Sequence, residues 1–242
     1  MIEVKQWKSI WNGKKLDKLD LDRSEFEIFC DLKRADGFDV NVGNETAYYT
    51  AFYDAWKEMY HKLMDFTGNE IHSVYEVGCG SGVNLYLFQN RLGHHARFGG
   101  IDYSTSLIEI AKKLIKSDDL ICDEAINIDE STSYDLVMAD SVFQYFDELD
   151  YAETVLRKML SKTNKIIYLG ELHDEQLKED WLAHRHAAMK NYDEIYAGLP
   201  KMFYNREWLR KIAEEYHKKV CFTTLENKEY WNSKYLFHCY MY

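Results

Sequence analysis

Three glycines alternate with two small residues in the segment Glu76–Gly82, which has the sequence Glu-Val-Gly-Cys-Gly-Ser-Gly. The segment lies between an apolar stretch, Val74-Tyr75, and a helix-like run that begins at Val83. Glycine lets a backbone turn sharply and lets a ligand approach it closely, because no side chain occupies that space. The leading acid, Glu76, would repel a phosphate group and attract an ammonium group. The segment therefore predicts a loop that binds a small ligand carrying a positive charge.

A second acidic residue, Asp102, ends the strand-like run 97–102. Ligands of open α/β sheets bind at the carboxyl ends of strands, and an acid after the glycine loop can accept both hydroxyls of a ribose. The alternative interpretation is a helix N-cap before Ser104, a position that also favours Asp. The third glycine of the loop comes one position earlier than in the Gly-x-Gly-x-x-Gly fingerprint of NAD-binding loops. This spacing argues against a dinucleotide as the ligand.

Strand-like and helix-like segments alternate from residue 72 onward. Such alternation predicts an α/β fold in which a doubly wound parallel sheet is covered on both faces. The expected strands are 73–77, 97–102, 120–122, 134–139 and 166–169, and the expected helices are 82–92, 105–117, 147–161 and segments near 174–191 and 205–218.

The two ends of the chain break this alternation. The final strand-like runs, 220–225 and 235–242, are joined by too few residues for a helical crossover, so we expect an antiparallel pair at one sheet edge. The sheet would then be mostly parallel and seven-stranded, with an antiparallel C-terminal strand. Residues 46–66 carry aromatic and apolar side chains at helical spacing. We expect residues 1–66 to form a helical lid and residues 67–242 to form the ligand-binding domain.

Composition limits the class of partner. The 30 Lys and Arg residues against 41 Asp and Glu residues give a formal charge of −11, which makes a nucleic-acid partner unlikely from the sequence. The five cysteines are scattered without a Cys-x-x-Cys pair, as is typical of a reduced, cytoplasmic protein. We expect no signal peptide and no membrane span. His184 and His186 are two residues apart and do not share a helix face, so no metal site is expected.

With these features the chain resembles the class I S-adenosylmethionine-dependent methyltransferases. The resemblance is carried by Glu76–Gly82, Gly100–Ser104 and the strand 135–141, and it covers roughly residues 70 to 172. It implies a Rossmann-like fold, S-adenosylmethionine as the cofactor, and methyl transfer to an oxygen or nitrogen of a small-molecule acceptor. Three further segments are similar to a little-characterised bacterial subgroup of this family, namely Ala35–Asp39, Ser141–Phe146 and Ala197–Pro200.

The resemblance also implies which residues hold the methionine and ribose parts of the cofactor. Gly78, Cys79 and Gly80 would place their backbone against the methionine part. Glu76 would act on the methionine ammonium, through a water molecule. Asp102 would accept the two ribose hydroxyls.

The adenine part would be held by residues after the second, third and fourth strands. Tyr103 would flank the adenine ring. Either Asp123 or Glu124 would face the adenine amino group, and the spacing admits both. Asp140 or Ser141 would close the pocket after the fourth strand.

The acceptor side is less defined, because methyl transfer from a sulfonium depends mainly on positioning. A base is needed only where the nucleophile arrives protonated, and His173 is the expected general base, with a solvent-exposed loop histidine as the alternative interpretation. Tyr145 is the second expected catalytic residue. Residues expected to contact the acceptor are Gln144, Tyr145, Tyr204 and Tyr49. Tyr49 lies on an aromatic helix face that could bind a cation or could serve only for packing. Glu171 and Leu172, which precede His173, are further candidates.

Three alternatives to methyl transfer remain open from the sequence. The same cofactor site could serve cleavage or cyclisation of S-adenosylmethionine itself. An NAD(P)-dependent oxidoreductase is disfavoured by the early third glycine and by the lack of a Tyr-x-x-x-Lys pair on a helix. The third alternative is a non-catalytic subunit that only binds the cofactor, and an assay of the isolated chain would distinguish it from an enzyme. Association into a homodimer is compatible with the sequence.

Replacement of Asp102 tests the ribose assignment. We expect Asp102→Ala to weaken the binding of S-adenosylhomocysteine by roughly 1.5–3 kcal/mol, because two charged hydrogen bonds are lost. Calorimetric titration measures the affinity, and a parallel titration with NADH distinguishes the two cofactor classes. An unchanged affinity in a folded Asp102→Ala variant would refute the assignment.

Overall fold

The computed structural model describes residues 7–16, 19–37, 45–93, 95–224 and 227–242. In this part of the chain eight strands form one sheet with the order β3-β2-β1-β4-β5-β8-β7, and β6 pairs with β5. The strands are β1 (Ser73–Val77), β2 (Arg97–Asp102), β3 (Leu120–Cys122), β4 (Tyr134–Asp140), β5 (Thr163–Asp174), β6 (Phe203–Tyr204), β7 (Val220–Thr224) and β8 (Leu236–Met241).

Nine α-helices connect and cover these strands within the described residues. Among them, none is long and apolar enough to cross a membrane. The helices are α1 (Trp7–Asn12), α2 (Glu25–Ala35), α3 (Glu45–Thr67), α4 (Val83–Leu92), α5 (Thr105–Leu114), α6 (Leu149–Lys162), α7 (Lys178–Ala188), α8 (Tyr192–Ile195) and α9 (Arg206–Glu215).

The sheet carries one apolar core on each face, because successive strand residues point to opposite sides. Val74 faces the core formed with α2, α3, α4 and α5, which includes Phe88. The next residue, Tyr75, faces the core formed with α6 and α9, which includes Leu156 and Leu209. Ligands bind at the carboxyl ends of the parallel strands in such sheets.

The predicted mostly parallel sheet with an antiparallel C-terminal strand is confirmed. β8 runs antiparallel to both of its neighbours, β5 and β7. The predicted number of strands, seven, is one too small. β5 continues four residues beyond the Asp140↔Gly170 pair that ends its ladder with β4, and this free edge pairs with the two-residue strand β6. A two-residue strand has no periodicity that a sequence could reveal.

The prediction of a helical segment over residues 1–66 gave bounds only for the helix 46–66 and none for α1 and α2. The start of α2 has a recognisable sequence motif, because Ser24 and Glu27 form a capping box that satisfies the first backbone N–H groups of the helix. The predicted helix 46–66 is present as α3. Phe38-Asp39 of the subgroup resemblance and Leu225 of the predicted strand lie outside the described residues.

The packing of α6 on the sheet predicts a matched pair of stability effects. Leu156 is fully buried in the core and Leu149, on the same helix, is 43% exposed. We expect Leu156→Ala to lower the free energy of unfolding by about 2–5 kcal/mol, because a core leucine leaves a cavity. Leu149→Ala should change it by less than about 0.5 kcal/mol. Urea unfolding followed by circular dichroism measures both, and equal effects would contradict this packing.

Candidate functional site

A cavity of about 570 Å³ opens at the carboxyl ends of β1, β2 and β4. The glycine loop forms its floor, and Asp102 and Tyr103 form the wall beside β2. α1 and α2 contribute the opposite wall through Trp7, Trp11 and Asp36. The cavity therefore lies where the sequence places the ligand, but the N-terminal helices complete it.

The glycine loop is tight enough that only glycine fits two of its positions. Gly78 and Gly80 adopt left-handed backbone conformations, with φ of 69° and 51°. A Cβ atom on Gly78 would lie 2.4 Å from Val142 Cγ2, and one on Gly80 would lie 2.7 Å from Asp36 Oδ1. Neighbouring side chains fill the space that a Cβ atom would need, and both glycines line the cavity with their backbone.

Asp102 holds this loop from the side of β2. Its Oδ2 accepts a hydrogen bond from Gly80 N at 2.9 Å, and its Oδ1 accepts one from Ser104 N at 2.8 Å. Burial raises the pKa of this carboxyl group. The N-cap of α5 is Ser104, whose Oγ accepts from Leu107 N, so the N-cap interpretation of Asp102 is wrong. Each carboxylate oxygen keeps a second lone pair for a ligand hydroxyl.

Asp36, at the end of α2, holds the same loop from the opposite side. It accepts hydrogen bonds from Ser81 N at 2.8 Å and from Ser81 Oγ at 2.9 Å. Burial raises the pKa of Asp36 to about 7, against the opposing effects of these two hydrogen bonds and of Lys33. No role for Asp36 was predicted from the sequence, although Asp36 belongs to the segment Ala35–Asp39 of the subgroup resemblance.

Glu76 and Asn84 form a buried polar pair behind the loop. Asn84 Nδ2 donates to Glu76 Oε1 at 2.6 Å. In the described part of the chain, Glu76 Oε2 and Asn84 Oδ1 have no hydrogen-bond partner. Burial raises the pKa of Glu76 well above its usual range. Two buried acceptors without donors are costly, and a ligand that brings N–H groups would satisfy both.

The far end of the cavity is bounded by Tyr103, Glu124 and α1. Glu124 lines the cavity and pairs with Lys8 of α1, whose ammonium lies 5.7 Å from the centre of the Tyr103 ring. Asp123 does not line the cavity. Its carboxylate is exposed and accepts hydrogen bonds from Asn127 Nδ2 and Glu124 N. Of the two acids left open by the spacing, the structure places Glu124 at the cavity.

The ends of β4 and β5 carry a chain of hydrogen bonds. Ser141 Oγ donates to Glu171 Oε2 at 2.6 Å, and Gln144 Nε2 donates to Ser141 Oγ at 2.7 Å. Lys201 Nζ donates to Gln144 Oε1 at 2.8 Å and lies 3.7 Å from the centre of the Tyr145 ring. Ser141 and Tyr145 line the large cavity, whereas Gln144 is buried behind them.

Glu171 projects from an irregular part of β5. Its φ of 53° is left-handed, and the register between β5 and β8 shifts between Leu169 and Leu172. Such a bulge re-aims a side chain and is common beside functional sites. Burial, followed by the nearby charge of Asp140, raises the pKa of Glu171 to about 7.

A second cavity, of about 380 Å³, adjoins the first. Lys33, Asn84 and Asp140 line both cavities. α3 and the residues before β8 form its outer walls, and Glu171 lies at its inner end. The two spaces therefore meet beside the Asp140 carboxylate.

The predicted general base His173 lies away from both cavities. It is fully buried, and its ring packs edge-on against Trp181 and Phe203. Asn232 Nδ2 contacts its Nε2 at 3.2 Å. Burial lowers the pKa of His173 to about 3, which keeps it neutral. A residue without access to either cavity cannot touch an acceptor, so this assignment is corrected.

Three residues predicted to contact the acceptor are also buried in packing roles. Tyr204 donates to the carbonyl oxygen of Phe143 at 2.8 Å. Tyr49 packs beneath the Arg34 guanidinium and against Tyr48. Gln144, as described, acts through Ser141. None of the three lines either cavity, whereas Tyr145, Cys79, Asp140 and Ser141 do line the large one.

The family to which the chain belongs follows from comparison with known proteins. A family model described as a methyltransferase domain matches residues 69–231. Together with the sheet order and the loop geometry, this match places the chain in the class I S-adenosylmethionine-dependent methyltransferases.

Curated relatives include the malonyl-[acyl-carrier protein] O-methyltransferase of Priestia megaterium, 27% identical over 179 residues, covering 71% of this chain and 64% of that protein. The enzyme of the same name from Bacillus anthracis is 23% identical over 173 residues, covering 69% of this chain and 64% of that protein. The match thus spans just under two thirds of the length of these relatives.

Solved structures share the fold across nearly the whole chain. The magnesium protoporphyrin IX methyltransferase of Synechocystis PCC 6803 with bound S-adenosylmethionine has a TM-score of 0.58 and 13% identity, covering 92% of this chain and 98% of that chain. The plantazolicin methyltransferase BpumL in complex with S-adenosylhomocysteine has a TM-score of 0.59 and 17% identity, covering 97% of this chain and 92% of that chain. At these identities the similarity concerns the fold.

The residues of the large cavity fit S-adenosylmethionine. The unpartnered acceptors Glu76 Oε2 and Asn84 Oδ1 match an ammonium group, and Gly78 and Gly80 line the same cavity. Asp102 keeps lone pairs for hydroxyl groups. These are the donor and acceptor types that the methionine and ribose parts of the cofactor require.

Replacement of Gly80 tests whether the glycine loop binds the cofactor. We expect Gly80→Ala to weaken binding of S-adenosylhomocysteine about tenfold or more, because its Cβ would displace Asp36 and the loop. Gly68→Ala is the matched control, since Gly68 is also left-handed but has no atom within 4 Å of the added Cβ. Calorimetric titration measures both, and an equal affinity in the two variants would contradict the loop assignment.

Proposed function

We propose that this chain transfers the methyl group of S-adenosylmethionine to a small molecule bound in the second cavity. One observation carries the proposal, namely that the two cavities meet at Lys33, Asn84 and Asp140. Methyl transfer needs a donor and an acceptor held side by side in a defined orientation. A single cavity would suffice for cleavage of S-adenosylmethionine alone, so the adjoining space favours transfer.

The residues of the chain would bind and orient the two ligands. When bound, S-adenosylmethionine supplies a methyl group that is activated by a positively charged sulfur. Glu76 and Asn84 would accept the hydrogen bonds of its ammonium group, and Asp102 those of its ribose hydroxyls. Glu124 would face the adenine and Tyr103 would flank it.

We further propose that the helices within residues 1–66 act as a lid. α1 spans the cavity mouth, where Trp7 Nε1 donates to the carbonyl oxygen of Pro200 and Ser104 Oγ donates to that of Trp11. Trp7 also packs edge-on against Tyr145 with ring centres 4.8 Å apart. These contacts support exclusion of water from the reacting groups.

The similarity to malonyl-[acyl-carrier protein] O-methyltransferases supports a second candidate acceptor. A carboxyl group on an acyl-carrier protein would then be methylated on oxygen. The match covers 64% of each of these relatives. Methylation of a malonyl-acyl-carrier protein by this chain is therefore a separate candidate activity to be assayed.

Cellular location and association also belong to the proposal. All five cysteines are free thiols, which supports a reducing, cytoplasmic environment. We propose that the protein binds its acceptor in the cytoplasm, without contact with a membrane or a nucleic acid. We also propose that the chain can form a homodimer, which light scattering would detect.

Mass spectrometry of the products tests the proposed reaction. With S-adenosylmethionine and a library of small amines, acids and phenols, we expect one acceptor to gain a CH2 unit as S-adenosylhomocysteine forms. Asp140→Asn should slow this at least about tenfold, because a charge beside both ligands is lost. Asp118→Asn, at an exposed position outside both cavities, is the control and should retain the rate. Formation of methylthioadenosine without a methylated acceptor would contradict transfer.

A further inference from the structure

The place where the two cavities meet is rich in hydrogen-bond acceptors. Glu76 Oε2 and Asn84 Oδ1 lack partners, and Asn84, which lines both cavities, is only 4% exposed. Asp140 lines both cavities, and its charge acts on Glu76 and Glu171. Ligands that bring N–H donors would satisfy such a site, and a carboxylate ligand would be repelled.

Acidic groups are concentrated at this place. The positive charge of Lys33 lowers the pKa of Asp36, Glu76 and Glu171, whereas the nearby charge of Asp140 raises the pKa of Glu76 and Glu171. S-Adenosylmethionine carries a sulfonium, an ammonium and a carboxylate, and so brings one net positive charge. A cation bound beside these acids would favour their ionised forms and be attracted by them, which favours a cationic acceptor in the second cavity.

Glu171 lines the second cavity and is held from two sides. Ser141 Oγ donates to Oε2, and Glu171 N donates to His238 Nδ1 at 3.4 Å. Among the described residues, the Ser141 hydrogen bond engages Oε2 and leaves Oε1 to a ligand. A rigid carboxylate with a free oxygen beside Asp140 is placed to accept a proton from a bound group.

The walls of the second cavity suit an organic ammonium. Phe52, Trp56, Tyr168 and Tyr240 contribute aromatic rings, which attract cations. Trp56 is 5% exposed and its Nε1 has no hydrogen-bond partner among the described residues. This buried donor suits an oxygen elsewhere on the same ligand, such as a hydroxyl or carbonyl group.

We propose that the acceptor is a small amine, bound as an ammonium ion between Asp140 and Glu171, and that Glu171 accepts its proton. This inference rests on the proposed function and names the substrate class of the same site. It differs from the carboxylate acceptor of the curated relatives.

The reaction then balances in two events. The ammonium gives one proton to the Glu171 carboxylate and becomes a neutral amine with a free lone pair. That lone pair forms the nitrogen–carbon bond to the methyl group, and the carbon–sulfur bond breaks with its electron pair moving to sulfur. The products are a methylated ammonium ion and S-adenosylhomocysteine, and the proton on Glu171 leaves to solvent.

The charged and titratable groups that face Glu171 come from every element around it. They determine how the pKa of Glu171 responds to a ligand. These groups are Asp140 and Ser141 at the end of β4, Lys33 of α2, Tyr48 of α3, Tyr145, Lys201, Tyr230, and His238 of β8. Burial raises the pKa of Glu171 to about 7, so near neutral pH a good part of this group is protonated without a ligand. An ammonium ion bound beside it would lower that pKa and release protons.

Binding of size-matched probes tests the inference without turnover. The full chain is first saturated with S-adenosylhomocysteine and then titrated with 2-phenylethylamine and with 3-phenylpropanoate. A second pair, cyclohexylmethylamine and cyclohexylacetate, repeats the comparison. Calorimetry near neutral pH in two buffers of different ionisation enthalpy gives both the affinity and the number of protons released.

We expect at least one amine to bind about tenfold or more tightly than its matched carboxylate and to release protons. Glu171→Gln keeps the shape of the side chain and should weaken that amine about tenfold and abolish the proton release. Glu109→Gln, at an exposed position of α5 outside both cavities, should leave both unchanged.

Three results would overturn this inference and leave the proposed function standing. The first is tighter binding of the carboxylates. The second is binding of neither amine by the chain saturated with S-adenosylhomocysteine. The third is amine binding that Glu171→Gln leaves unaltered in affinity and proton release. Failure of S-adenosylhomocysteine to bind the wild-type chain would instead refute the proposed function.

Discussion

The site depends on two carboxylates that hold one loop from opposite sides. Asp102 accepts the N–H of Gly80, and Asp36 accepts the N–H and hydroxyl of Ser81. A loop of left-handed glycines has many conformations available when it is free, and its entropy must be restrained for a ligand to bind well. Because Asp36 lies on α2 and Asp102 on β2, the packing of the N-terminal helices on the sheet also determines the shape of the loop.

Much of the fold and part of the site could be predicted from the sequence. β1 and β2 were predicted with their observed ends, because an apolar run is followed by glycine in one and by an acid in the other. Glu124 and Tyr145 also lie at the cavity as expected. Their roles toward the cofactor and the acceptor stay predictions. Asp36 and Asn84 were missed, since only tertiary packing brings Asp36 to a loop that lies 45 residues later.

His173 shows why the acceptor side could not be predicted. In a regular strand Glu171 and His173 would share a face. The shifted register and the left-handed backbone at Glu171 separate them, so that Glu171 faces the second cavity and His173 packs against Trp181. A bulge leaves no simple mark in one sequence, because the residue in it is an ordinary Glu rather than a glycine.

The outer walls of the two cavities come from different elements. α1 and the residues after Tyr145 border the first, whereas α3 and residues 227–229 border the second. Among the described residues, the two spaces share Lys33, Asn84 and Asp140. With the two ligands bound as proposed, each would have its own route to solvent, and the second cavity could exchange its contents while α1 stays over the first. An enzyme with this layout has no structural need for an obligatory order of product release.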